Sequence, residues 1–310
     1  MGDAITFANG VASALVLPFT EDDKIDEISL RKLVEYNLNA PKINGLVCNA
    51  FAGETFSLTS EERGRVVRIL KDQVDGRVPV VAGVWAEGLD DVKREVEIAQ
   101  REGADAILLF PPFSFARGAN VSSEIPVKFH QAVAEYASVP IIAFQTRAGT
   151  GTHYSSETLA EICKIKQVFA VKNACFDLNV YEANTAAVRS AVTNVEVLTG
   201  CDTILVPTMY LSDGGLLGLA SLTPHFLSKL MEWVKDGNVK DAFALQGQYY
   251  ELVSEIYRHP AMDIPGRLKA GLVHLGVIES ARVREPWRQL GKEDQSRIAQ
   301  LIAKLGGKEL

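Results

Sequence analysis

Paired cysteines are missing from this 310-residue chain: Cys48, Cys163, Cys175 and Cys201 form no CxxC spacing, and each sits in an apolar stretch. A disulfide framework and a cysteine zinc site are therefore excluded, and the thiols are expected to be reduced and buried, as in a cytosolic protein. Histidine is scarce as well. His130, His153, His225, His259 and His274 are scattered with no carboxylate at ligand spacing, so neither a metal centre nor any other cofactor is expected. No uncharged apolar run reaches the ~18 residues that a membrane span needs. The opening MGDAITFANG has neither a basic segment nor an unbroken apolar one, so no signal peptide is expected. Basic blocks are absent too: 32 Lys+Arg are interspersed with 39 Asp+Glu for a net charge of −7, which argues against nucleic acid or anionic membranes as partners. What is there, 47% hydrophobic, 23% charged and 8% aromatic residues, belongs to a folded globular chain. At this length it buries roughly three quarters of its unfolded surface and needs no staples.

Short apolar runs recur along the chain, each followed by a stretch of helical period. They are Val11–Leu17, Gly45–Cys48, Pro79–Ala82, Ala106–Phe110, Pro140–Phe144, Phe169–Lys172, Val195–Leu198 and Gly215–Ala220. Their spacing is close to the ~30 residues of a strand–helix unit. Runs apolar on both faces suit strands buried in a parallel sheet. Helix starts are legible between them. Thr59-Ser60-Glu61-Glu62 is a capping box ahead of the stripe Val66, Val67, Ile69, Leu70, Val74. Asp90 opens a second helix that Gly103 closes, and Ser155-Ser156-Glu157 opens a third. Eight such repeats predict an α/β fold of the closed (β/α)8 TIM-barrel type over residues 1–235. An open dinucleotide-binding sheet would want a Gly-rich turn after its first strand, and Leu17-Pro18-Phe19-Thr20 is not one. Beyond Pro224 strand signals stop. Leu227–Val234 reads as the last barrel helix; Val239–Tyr257, Arg267–Leu275 and Glu293–Leu305 read as a C-terminal helical extension, residues 236–310, packed on the barrel without a low-complexity linker.

In such a barrel the active site lies at the C-terminal ends of the strands. Asn49, Phe51, Gly53, Glu54, Trp85, Phe113, Phe144, Gln145, Lys172, Asn173, Gly200, Asp202 and Ser221 are the candidates there. Lys172 stands out because it ends the apolar strand Val168-Phe169-Ala170-Val171. A buried lysine has a depressed pKa and becomes a nucleophilic amine able to form a Schiff base with a carbonyl. The plainer alternative is that Lys172 snorkels to solvent or pairs with Glu54 or Asp202. Of the remaining features, His153 and Tyr154 suit either a proton relay or a solvated loop. Gly149-Thr150-Gly151-Thr152 reads as a turn, lacking the Lys-Ser/Thr of a phosphate loop. Tyr249, Tyr250 and Tyr257 read as helix packing. Cys175, three residues past Lys172, is either reactive or a small buried hydrophobe.

From Gly10-Val11-Ala12-Ser13-Ala14-Leu15-Val16-Leu17-Pro18-Phe19-Thr20 onward the sequence resembles the dihydrodipicolinate synthase / N-acetylneuraminate lyase family. Gly53-Glu54 with Leu58-Thr59-Ser60-Glu61-Glu62-Arg63, Pro79–Gly83, Gly103–Ala106, Val171-Lys172, Gly200-Cys201-Asp202, Lys269–Leu272 and Val283–Pro286 extend the match in unbroken order from about residue 10 to 290. The resemblance implies a barrel with a C-terminal helical bundle, a homotetramer built as a dimer of dimers, and a Schiff base between Lys172 and pyruvate or another 2-oxo acid. Phe51, Ala52, Gly53, Phe113, Phe144, Leu216 and Ser221 would then line the substrate.

The departures from that pattern carry as much information. The family's Gly-Thr-Thr-Gly-Glu is Ala50-Phe51-Ala52-Gly53-Glu54 here, without either hydroxyl. The two family tyrosines fall on Phe144 and Phe113, and a phenyl ring cannot relay a proton. The arginine of the synthases falls on Gly149, with Arg147 two positions early. Two readings follow. One is a class I lyase, aldolase or hydro-lyase whose partner substrate is apolar or aromatic, and which is not a true dihydrodipicolinate synthase. The other is a degenerate member that binds a 2-oxo acid without efficient turnover.

Overall fold

In the computed structural model, which describes residues 5–118, 122–307 and 310, the chain closes into a parallel barrel of eight strands in sequence order. The first four of the residues weighed above as a leader lie outside that range. The strands are β1 (Val11–Ala14), β2 (Ile43–Cys48), β3 (Val80–Val84), β4 (Ala106–Leu109), β5 (Ile141–Gln145), β6 (Val168–Asn173), β7 (Glu196–Thr199) and β8 (Gly214–Leu217). The helices outside them are α1 (Glu27–Leu38), α2 (Ser60–Val74), α3 (Leu89–Arg101), α4 (Glu124–Tyr136), α5 (Ser156–Cys163), α6 (Leu178–Ala191), α7 (Leu205–Leu211) and α8 (Pro224–Lys235). Three more, α9 (Val239–Tyr257), α10 (Ile264–His274) and α11 (Lys292–Lys304), form the C-terminal extension.

Local chemistry fixes several of these boundaries. Thr59 and Glu62 form the reciprocal capping box at the start of α2, and Val66, Val67, Ile69, Leu70 and Val74 all face the core. Ser155 caps α5 by accepting from the Thr158 N–H. Helix α3 begins one residue before Asp90, behind Gly88, and Gly103 follows it at φ 92°. The first and last strands are shorter than their apolar runs. Leu15–Leu17 leave the sheet, while Leu219–Ser221 wind into a short 3-10 turn whose Ser221 hydroxyl accepts from Val16 N at 3.1 Å. Apolar character persists there because both segments are buried, and not because they are strand.

The lumen is filled by side chains. Ala12, Val47, Val81, Leu108, Ile142, Ala170, Leu198 and Leu216, one from each strand, are all fully buried in a single cluster. Below them Phe7 plugs the N-terminal end. A Cβ at Gly45 would lie 2.4 Å from the Phe7 ring, and one at Gly214 would lie 2.1 Å from the Phe7 carbonyl, so both positions need glycine. The barrel is thus stoppered at its N-terminal end.

Candidate active site

Lys172 lies in β6, paired in register with Phe144 of β5 and Leu198 of β7. Its side chain rises into the mouth because Gly200, just past β7, has none. A Cβ there would sit 2.9 Å from Lys172 Cε and 2.7 Å from Ala174 Cβ. Lys172 is 8% exposed, and its ammonium stands 4.6 Å from the centre of the Phe144 ring. Among the described residues no carboxylate comes within 4.0 Å of it. Burial brings its pKa from the usual 10.5 down to about 8, against the opposing pull of the Asp202 charge. A lysine so placed keeps a sizeable neutral fraction near physiological pH and is a competent nucleophile.

Neither carboxylate suggested as its partner neutralises it. Glu54, fully buried with its backbone at φ 52°, is ion-paired with Lys269 of α10, and its second oxygen accepts from Arg284 N at 3.1 Å. Asp202 accepts from Leu219 N at 2.8 Å. Burial pushes its acid up to about 6, while the Leu219 N–H, the Lys172 charge and the Tyr257 hydroxyl hold it down. Tyr257 was read as packing; instead its hydroxyl reaches the mouth, 3.2 Å from where a Cβ of Gly218 would be. Tyr249, by contrast, does pack, stacked on Phe226 at 3.8 Å.

One wall of the mouth is aromatic. Phe144 meets Phe110 edge-on at 4.8 Å, Phe110 meets Phe56 at 6.2 Å, and Phe56 meets Trp85 at 4.8 Å. Phe51 contacts Phe56 and Trp287. Ala52 and Gly53 are buried in the turn after β2, Gly53 N donating to Ala50 O. Phe113 stands at the rim, packed on Phe56 and Trp85 with 52% of its surface exposed. Leu216 is fully buried in the lumen cluster, and Ser221 is fully buried with its hydroxyl engaged by Val16. Gln145 and Asn173 are structural: Gln145 clamps both backbone groups of Tyr154, and Asn173 accepts from Asn184. Arg147 lies over the Phe176 ring at 4.1 Å. His153 bonds the Thr146 carbonyl, and Thr146, Thr150 and Thr152 bond one another, as befits a turn.

Sequence reasoning had not singled out Phe56, Phe110 or Trp287. Phe110 carried a signal, the period-2 alternation with Ala106 and Leu108 that marks the lumen face. Phe56 and Trp287 carried none, since they come from separate loops. Among the described residues no cluster of three or more His, Cys, Asp or Glu could hold a metal, and no helix is long and apolar enough to cross a membrane.

A sequence model of the dihydrodipicolinate synthetase family matches residues 7–305. The chain belongs to that family. Family members are pyruvate-dependent class I lyases and aldolases. Among curated relatives of this dihydrodipicolinate synthetase family member, the 4-hydroxy-tetrahydrodipicolinate synthase of Nitratidesulfovibrio vulgaris is 30% identical, covering 96% of this chain and 98% of its own. That of Protochlamydia amoebophila is 26% identical, with coverage of 96% and 97%. Among solved structures, a prophage protein of the family from E. coli K12 in complex with pyruvate superposes with a TM-score of 0.87 at 22% identity, covering 96% and 98% of the two chains. The Acinetobacter baumannii synthase complexed with pyruvate gives 0.85 at 22% identity, covering 97% and 100%. At that identity the likeness speaks for the fold.

Proposed function

We propose that Lys172 forms a Schiff base with pyruvate or a related 2-oxo acid and that the protein is a class I lyase, aldolase or hydro-lyase. The observation that carries this is an unpaired, buried amine at the open end of the barrel. Its neutral form attacks the C2 carbonyl, and loss of water from the carbinolamine leaves the imine. Removal of a C3 proton then gives an enamine, which attacks an aldehyde carbonyl, or the same steps run in reverse. Two neighbours in complex with pyruvate support the choice of 2-oxo acid. Within this reading the protein is cytoplasmic and assembles as a dimer of dimers, which light scattering tests directly.

The partner substrate follows from the wall above the amine. Phe51, Phe110, Phe144 and Trp85 offer apolar area at ~25 cal/mol per Å² buried and edge-and-face contacts for a ring. Ala52 and the phenyl rings offer no hydroxyl to a polar aldehyde, and each polar group left unpaired on the substrate costs ~1–3 kcal/mol. We therefore read the partner as an aryl or alkyl aldehyde rather than aspartate semialdehyde. Borohydride reduction in the presence of pyruvate should add mass at Lys172 and nowhere else. In steady state, aromatic or aliphatic aldol partners should turn over faster than aspartate semialdehyde. Robust condensation with aspartate semialdehyde would refute the specificity; trapping without turnover of any partner would leave a 2-oxo acid binder.

A further inference from the structure

The aromatic wall runs on past the rings nearest the amine. From the Lys172 ammonium it passes Phe144, Phe110 and Phe56 and ends at Phe113, whose ring centre lies 5.3 Å from that of Phe56 and 5.2 Å from that of Trp85. Phe113 is 52% exposed, while the other rings of the wall are buried or half-buried. An open ring at the end of a packed row offers a face to one more ring.

Phe113 is held there by a residue from another loop. It opens a short 3-10 turn, Phe113–Arg117, that follows Pro111-Pro112. A helical turn begins with unpaired N–H groups, and a proline just before it brings no side chain that accepts from them. Glu87, between β3 and α3, supplies the acceptors. Its Oε1 accepts from Phe113 N at 2.8 Å and its Oε2 from Ser114 N at 2.9 Å. A carboxylate with each oxygen on its own backbone N–H fixes orientation as well as position. The rest of the turn is seated separately. Phe115 meets Phe129 of α4 edge-on at 5.5 Å, and Gly151 comes so close that a Cβ there would lie 2.9 Å from Ala116 Cα.

We propose that Glu87 is a positioning residue for substrate selection. It holds Phe113 as the outer end of the aromatic wall, so that the site prefers a partner aldehyde whose aryl group sits on a spacer and reaches the rim. The proposal rests on the reading of the partner as an apolar aldehyde and adds how far that partner extends. Glu87 acts through Phe113 and not on the reacting atoms. A short aldehyde stays beside Phe144 and Phe110 and does not sense the turn; an extended one loses an apolar contact when the turn loosens.

The test compares acetaldehyde with cinnamaldehyde as partners of pyruvate in steady state, using the full-length protein. Glu87→Ala should raise the KM for cinnamaldehyde about tenfold. Its kcat, the KM for acetaldehyde and borohydride trapping of pyruvate at Lys172 should stay within about twofold. Phe113→Ala should give the same split, and adding Glu87→Ala to it should cost nothing more, as expected of a residue that acts through another. Glu87→Gln, which keeps one acceptor oxygen, should fall between wild type and Glu87→Ala. Hydrogen exchange reads the latch directly: in Glu87→Ala the Phe113 and Ser114 amides should exchange faster and those of β5 should not. An unchanged cinnamaldehyde KM, an equal rise for both aldehydes, additive losses in the double variant, or unaltered exchange would overturn the proposal. If wild type traps no pyruvate, the 2-oxo acid reading fails by itself. Titration with cinnamyl alcohol by saturation-transfer NMR then decides the inference: weaker binding in Glu87→Ala with native circular dichroism upholds it, and unchanged binding overturns it.

Discussion

Two lysines are buried among the described residues, and they have opposite fates. Lys269 joins α10 to the turn after β2. It is fully buried, ion-paired with Glu54, donates to Arg282 O at 2.7 Å and sits over the Phe19 ring at 4.4 Å. Lys172 also stands over a phenyl ring, but among the described residues it has no carboxylate within 4.0 Å, and it keeps 8% of its surface exposed. Burial depresses both ammonium groups. The partner decides what that depression means. A charge locked by an ion pair and a carbonyl is a fastener, whereas an amine with neither is available for chemistry.

The comparison breaks most sharply in a trapping experiment. Pyruvate and borohydride should modify Lys172 to completion and leave Lys269 untouched, and Lys172→Ala should abolish the adduct while circular dichroism stays native. Adducts at Lys269, or an unaltered yield in the variant, would erase the distinction. Next in size is the fastener itself. Lys269→Met should destabilise by ~3–5 kcal/mol in denaturant titration, because it strands a buried carboxylate; adding Glu54→Gln should recover most of the loss.

The unpaired lysine should behave in reverse. Its folded pKa of about 8 lies below its usual 10.5, so the unfolded chain binds more protons between those values and stability rises with pH across that window. Lys172→Met should therefore stabilise at pH 7 by on the order of 3 kcal/mol, at 1.36 kcal/mol per pKa unit. The gain should shrink as pH rises from about 8 towards 10.5. The smallest effect concerns Asp202, whose charge raises the Lys172 pKa. Asp202→Asn should move the rise of trapping rate with pH to lower pH; a shift the other way would mean that the carboxylate acts through geometry and not through charge.

Much of this was legible in the chain. Eight apolar runs at strand–helix spacing gave the barrel, because burial on both faces demands an unbroken apolar strand. The Thr59 capping box and the Ser155 cap marked helix starts by chemistry that is local to four residues. Lys172 was legible for the same reason, as a charge where the pattern asks for none. Phe113 shows the limit: its position after β4 suggested a pocket side chain, and only the chain's path through Pro111-Pro112 leaves it on the rim.

The sequence by itself determined the periodic features: where strands and helices fall, the lumen-facing alternation and the position of a lysine at the end of an apolar strand. These depend on neighbours two to four residues away, which the chain states directly. Tertiary structure alone decided the partnerships. That Glu54 belongs to Lys269 and not to Lys172, that Tyr257 of α9 reaches Asp202, that Phe51 meets Trp287 and that the Phe176 N–H meets Cys201 Sγ all join segments distant in sequence. Such contacts are set by how the strands stagger and where the extension docks, and no local preference encodes them.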